Sequence, residues 1–149
     1  MGQLLEAMAW LGEQPDTLFL GQSVLYPGAK IHSSLEAVPT QKRIEMPVAE
    51  ALQLGVSIGL ALEGFVPVSI FPRINFLLCA ADMLVNHLDK LPLYSDYRPK
   101  VILRTAVGSK QPLDAGPQHT GDCSWALAQM LSTVPVRKIK REEGAVGVY

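Results

Sequence analysis

Short apolar runs bounded by glycine or proline alternate with longer segments of helical periodicity along this chain. This alternation is typical of a parallel sheet, because a parallel strand pair needs a connection long enough to hold a helix. We therefore expect an α/β fold with one parallel β-sheet and helices on both faces. Ligands of such sheets bind in the loops at the carboxyl ends of the strands.

The predicted strands are three mainly apolar short runs, at 16–21, 66–71 and 100–106, and a last short strand at 136–140. The predicted helices have apolar residues at three- and four-residue spacing and cover 4–11, 48–63, 75–88 and 122–131. The helix over 48–63 has the clearest ends, since Pro47 precedes it and Gly64 follows it. Residues 22–46 and 107–121 are predicted to be loops, and long loops in a compact domain are often functional.

Length and composition narrow the class of protein. The chain has 149 residues, which suits one domain over 1–149. Its 13 basic and 14 acidic residues do not favour nucleic acid or an anionic membrane surface as a partner. The first ten residues lack the basic start of a signal peptide, and no apolar run is long enough to span a bilayer, so a cytoplasmic location is expected. The mean hydropathy of +0.19 is high for a lone domain, so we expect a homo-oligomer.

Three residues at the predicted loops and helix starts could carry chemistry. Glu50 lies in the first turn of the most apolar helix, where a carboxylate could simply interact with the helix dipole. His119 lies in a loop rich in glycine and proline, where it could transfer protons or remain solvated. Phe76 begins a helix and would ordinarily be a core residue.

The two cysteines give no framework of disulfides and no structural zinc site, so they are expected to be reduced. Cys79 is predicted to be a core residue on an apolar helix. Cys123 lies four residues after His119, so a nucleophilic Cys–His pair is an alternative, although no third orienting group is evident.

Several short motifs occur in an order and spacing that resemble a known family. They include Ile-Glu-Met-Pro-Val-Ala-Glu at 44–50, a helix containing Gly55 and Gly59, and Leu-Glu-Gly-Phe-Val-Pro-Val at 62–68. The remaining matching segments are 70–76, 80–82, 86–90, 101–104 and 118–120. Together they resemble the pyrimidine-binding domain of the transketolase group of thiamine-diphosphate enzymes, most closely the beta subunits of 2-oxo acid dehydrogenases, over residues 16–139.

The resemblance implies a cofactor, thiamine diphosphate, whose pyrimidine ring is held at a subunit interface. It assigns Glu50 to the ring nitrogen, both as a cofactor-binding and as a catalytic residue. It assigns Phe76 to stacking on the ring and His119 to catalysis beside the substrate. In such enzymes the cofactor supplies the organic chemistry, and the protein supplies orientation and electrostatics.

The sequence also departs from the family pattern. The family binds Mg²⁺ and the diphosphate through Gly-Asp-Gly, whereas Gly121 and Asp122 are followed here by Cys123. We therefore expect the diphosphate-binding and C-terminal domains to be absent, no metal site on this chain, and Mg²⁺ held by a diphosphate-binding partner subunit.

Three functional hypotheses follow. The first is a pyrimidine-binding subunit of a split thiamine-diphosphate enzyme, transketolase-like or 2-oxo acid dehydrogenase-like. The second is a non-catalytic, dimerising α/β module derived from that family. The third is an unrelated doubly wound protein that binds a small molecule.

Overall fold

The chain forms an α/β fold with a parallel sheet, seen in a computed structural model that describes residues 2–108, 110 and 113–139. Within these residues the four strands are β1 (Thr17–Gly21), β2 (Arg43–Glu45), β3 (Val66–Ile70) and β4 (Ile102–Arg104). Their order in the sheet is β2-β1-β3-β4, and every neighbouring pair is parallel. The predicted parallel sheet is therefore confirmed.

Helices of very different length connect the strands. The α-helices of the described residues are α1 (Gly2–Glu13), α2 (Lys30–Ser33), α3 (Glu50–Leu62), α4 (Ile74–Leu77), α5 (Leu91–Tyr94), α6 (Pro117–Thr120) and α7 (Ser124–Met130). Short 3₁₀ turns cover Thr40–Lys42 and Leu78–Ala80, and a π-helix covers Met83–Leu88.

Both faces of the sheet are covered, as the alternation of the strand side chains requires. Phe19 and Val68 are neighbours in register, and they pack with Ala7 and Leu11 of α1 on one face. The next residue of β3 points to the other face, where the Ser69 hydroxyl accepts a hydrogen bond from the Gln53 amide of α3 at 2.9 Å. Helices on both faces are therefore confirmed.

The segment 22–46 is not the continuous loop that the sequence predicted, because β2 lies within it together with α2 and a 3₁₀ turn. The sequence did not predict this strand, because it begins at Arg43 and a charged residue is rarely a core residue. It is nonetheless buried, because its guanidinium donates hydrogen bonds to the backbone carbonyls of Val24, Leu35 and Val38. The buried Arg43 thus fixes the connection between β1 and β2.

Three other sequence predictions are wrong, wholly or in part. The helix predicted over 75–88 is divided into α4, a 3₁₀ turn and the π-helix, and Cys79 is exposed in that turn rather than in the core. The strand predicted over 136–140 does not form in residues 136–139, while Lys140 lies outside the described residues. Lys138 instead forms an ion pair with Asp122, and the segment lines a cavity beside β4.

Asp89 fixes the segment that follows α7. Its side chain is fully buried, and its carboxylate accepts hydrogen bonds from the backbone N–H groups of Ser132, Thr133 and Val134 at 2.7 to 3.0 Å. The Lys90 ammonium lies 2.7 Å from Oδ2 of the same carboxylate. One buried charge therefore joins the end of the π-helix region to residues 132–134.

Candidate functional site

The three candidate residues follow three different strands at the same edge of the sheet. Glu50 follows β2 and is the first residue of α3, Phe76 follows β3 in α4, and His119 follows β4 in α6. The strands are parallel, so their carboxyl ends meet at one edge, which is the usual ligand-binding edge of such sheets. Between β3 and β4 the pairing continues beyond the strands, because the Ile74 N–H donates to the Ala106 carbonyl at 2.9 Å.

Phe76 and His119 lie side by side. Their ring centroids are 5.3 Å apart and the ring planes are inclined by 47°. Both side chains are half-buried, so Phe76 is not the core residue that its sequence context would suggest, and His119 is not simply a solvated loop residue. This edge of the sheet therefore presents an aromatic ring next to an imidazole.

The Asn75 side chain orients the His119 ring. Its Nδ2 lies 3.0 Å from Nδ1 of His119, and the Arg73 guanidinium donates to the backbone carbonyl of His119 at 3.2 Å. With the Asn75 amide donating, Nδ1 is the acceptor and the proton of a neutral imidazole is on Nε2. Nε2–H is then the donor that His119 offers to a ligand.

Glu50 is buried and has one hydrogen-bond partner within the described part of the chain. The Gln22 amide, just after β1, donates to Oε1 of Glu50 at 3.4 Å. A long hydrogen bond from a neutral donor does little to compensate a buried carboxylate, which is costly without strong partners. Glu50 also lies in the first turn of α3, where a carboxylate interacts favourably with the helix dipole, so the structure is consistent with that interpretation too.

The loop that carries Gln22 has a strained conformation. Ser23 has a φ of 62°, in the left-handed region that residues other than glycine seldom adopt. The Glu45 carboxylate at the end of β2 accepts hydrogen bonds from the Ser23 and Leu25 N–H groups, the latter at 2.8 Å. Glu45 therefore holds the strained turn beside Gln22 and Glu50.

Sequence reasoning found the residues that bear chemistry but not those that orient them. Gln22, Glu45 and Asn75 are polar residues in unremarkable contexts, and their partners are distant in the sequence. The structure joins Phe76 to His119 directly. It joins Glu50 to Gln22, and no described hydrogen bond or ring contact joins Glu50 to either of the other two.

These residues fit one half of the cofactor that the resemblance implies. A buried carboxylate with little compensation suits a ring nitrogen, and a half-buried aromatic ring at the same sheet edge suits a flat heterocycle. Over the described ranges, no three His, Cys, Asp or Glu residues cluster in a way that could hold a metal ion. Cys123 and His119 also show no contact there that would support a nucleophilic pair.

No helix among the described residues has both the length and the apolar character needed to cross a membrane. Comparison with known proteins adds no family to this picture, since no protein-family model and no curated protein matches the chain.

Proposed function

We propose that this chain is the pyrimidine-binding subunit of a split thiamine-diphosphate enzyme, cytoplasmic and active only with a diphosphate-binding partner chain. The observation that carries the proposal is that Glu50, Phe76 and His119 each follow a different parallel strand at the same edge of the sheet, with the rings of Phe76 and His119 in contact. The resemblance assigns these residues to one ring and its substrate on the sequence motifs alone.

In this proposal each residue has a distinct task. When bound, the cofactor supplies a carbon nucleophile for cleavage or transfer next to a carbonyl group. Glu50 holds a proton at the ring nitrogen, and Gln22 fixes one of its carboxylate oxygens. Phe76 positions the ring, and Nε2 of His119 donates a hydrogen bond to the substrate. The Mg²⁺–diphosphate site is assigned to the partner subunit.

The exposed side of α3 supports self-association. Leu52 and Leu62 are exposed apolar residues of this helix, Val48 is exposed just before it, and Gly59 is exposed between Leu52 and Leu62. A Cβ at Gly59 would meet no atom within 4 Å, so packing inside the chain does not require glycine there. A glycine within a helix costs about 1 kcal/mol relative to alanine. Close approach of a second copy of α3 would explain the glycine, because a residue without a side chain lets two backbones come close together.

The test is activity after reconstitution with the diphosphate-binding chain, comparing Glu50→Gln with Glu63→Gln. Glu63 is exposed at the other end of α3, so it is a matched control for charge and helix. We expect Glu50→Gln to lower turnover by several orders of magnitude, while Glu63→Gln stays near the wild type. A glutamine retains the shape and the Gln22 contact but cannot exchange a proton with a ring nitrogen.

The stability of the isolated chain separates the two interpretations of Glu50. A pure helix-dipole role predicts that Glu50→Gln costs up to about 1 kcal/mol and leaves turnover unchanged. That result would reject the catalytic assignment. It would favour the second candidate, a non-catalytic dimerising module, which the exposed apolar side of α3 also supports.

A further inference from the structure

A cavity of about 380 Å³ lies beside β4, away from the Glu50 carboxylate. Its walls are the carboxyl end of β4, α7 and residues 134–139. The apolar floor is continuous with the core on the α3 face of the sheet and includes Ile74, Leu77, Leu103 and Leu127. Its volume lies in the range of pockets that bind small molecules, about 300–1,000 Å³.

All of the charged residues that line this cavity are cationic. They are Arg104, Arg137 and Lys138, and the described lining contains no carboxylate. Asp122 forms an ion pair with Lys138 from outside the lining, so it offsets only part of this positive charge. A cavity with an apolar floor and a cationic wall is complementary to an anion that has an apolar body.

The Thr105 hydroxyl is a second, independent sign of a ligand. Its Oγ1 atom is buried and has no hydrogen-bond partner in the part of the chain that the structure describes. Buried polar atoms are nearly always hydrogen-bonded, because an unsatisfied one destabilises the folded state. Thr105 also lines the cavity, so a rotation about its Cα–Cβ bond would present this hydroxyl to a ligand acceptor.

A second cavity, of about 730 Å³, lacks this combination. It lies at the other end of β4, and Arg98 and Lys100 line it together with several prolines. None of the unpartnered buried polar atoms of the described residues belongs to its lining. Charge alone therefore does not distinguish the two cavities, and the Thr105 hydroxyl favours the smaller one.

We propose that the cavity beside β4 binds a small organic carboxylate with an apolar chain. The apolar chain occupies the floor beside Leu103 and Leu127. The carboxylate accepts a hydrogen bond from the Thr105 hydroxyl and lies against the cationic wall that Arg137 provides. This site is separate from the proposed cofactor function and does not depend on it.

The test is titration of the ¹⁵N-labelled chain with hexanoate, followed by NMR. Acetate serves as an anion without an apolar chain, and hexylamine serves as a cation with the same chain. We expect saturable shifts from hexanoate for the backbone amides of Thr105, Leu127 and Arg137, and no saturable shifts there from the other two compounds. Equal shifts from hexylamine, or no shifts from millimolar hexanoate, would reject the site.

Two substitutions and a matched control locate the binding. Arg137→Gln removes an exposed cation and should weaken hexanoate binding about tenfold or more, the effect of a charged hydrogen bond. Thr105→Val should also weaken binding, yet raise the melting temperature of the free chain, because it removes an unmet buried hydroxyl. Arg98→Gln, in the larger cavity, should bind as the wild type does. If Arg137→Gln and Arg98→Gln have the same affinity, the cavity beside β4 is not the binding site.

Discussion

Replacing Asp89 by asparagine should remove one of the largest single electrostatic contributions to this fold. The carboxylate accepts from three backbone N–H groups and pairs with Lys90; the Asp89 side chain is fully buried, whereas the Lys90 side chain is 31% exposed. Asparagine keeps one acceptor oxygen but turns an NH₂ group toward donors, so at least one buried N–H loses its partner. An unsatisfied buried N–H together with the loss of a charged acceptor costs about 2–4 kcal/mol.

The pH dependence of this loss follows from the direction of the pKa shift. Burial raises the pKa of Asp89, but the hydrogen bonds from Lys90 and from the backbone of residues 132–134 lower it more. Its pKa therefore lies well below the ordinary value, and the stabilisation is complete above the unfolded pKa of about 4. It is lost as the pH falls toward the folded pKa. Between pH 7 and pH 3 the difference between wild type and variant should shrink by about 1 kcal/mol.

Urea unfolding at pH 7 and pH 3 measures both quantities, with Asp82→Asn as the matched control. Asp82 is exposed and contacts only Asn86 and His87 among the described residues, so its replacement should change the free energy of unfolding by less than about 0.5 kcal/mol. A loss below about 1 kcal/mol for Asp89→Asn, or a difference that is unchanged at pH 3, would refute the argument.

Three further substitutions test other parts of the structure. Ser23→Gly should raise the free energy of unfolding by up to about 1 kcal/mol in urea, because glycine adopts the left-handed φ without strain; a loss would mean that the turn is unstrained. Arg43→Lys should lower it by about 2–4 kcal/mol, since one ammonium cannot reach three carbonyl oxygens at once, and a near-neutral effect would contradict the buried clamp. Gly59→Leu should convert a dimer to a monomer in sedimentation velocity, because the side chain blocks close approach of a second α3, and it should raise the melting temperature of the monomer, because leucine favours a helix more than glycine does. A wild-type chain that is already monomeric would contradict the α3 interface.

The sequence predicted the centre of the sheet because burial on both faces leaves a clear pattern. Apolar runs marked β1, β3 and β4, and each forms within the predicted bounds. The sequence did not predict β2, because its first residue, Arg43, is charged. Its guanidinium is satisfied by backbone carbonyl oxygens that only the folded loop brings together. Periodicity predicted an apolar helical face over 75–88, but it could not distinguish an α-helix from the 3₁₀ and π steps that the segment adopts.

The candidate site was predictable in its residue types and not in its supporting contacts. Glu50 stood out because it is a carboxylate in an otherwise apolar helix, and His119 stood out because it lies in a loop rich in glycine and proline. Asn75 and Gln22 gave no such signal, because their roles depend on partners that follow other strands. The predicted strand at 136–140 had the right composition, but over 136–139 the segment lines a cavity beside β4 instead of pairing with it.

The central position of β1 has a consequence for how this protein folds. β1 precedes the other described strands, yet both of its neighbours follow at a distance along the chain, since Phe19 pairs with Arg43 on one side and with Val68 on the other. The described strands pair only in parallel and form no hairpin. Their pairing therefore requires long loops to close before it compensates the lost chain entropy. Folding should therefore be slow for a chain of this length, and a nascent chain released before β3 emerges would expose an apolar strand with one side unpaired, a template for aggregation.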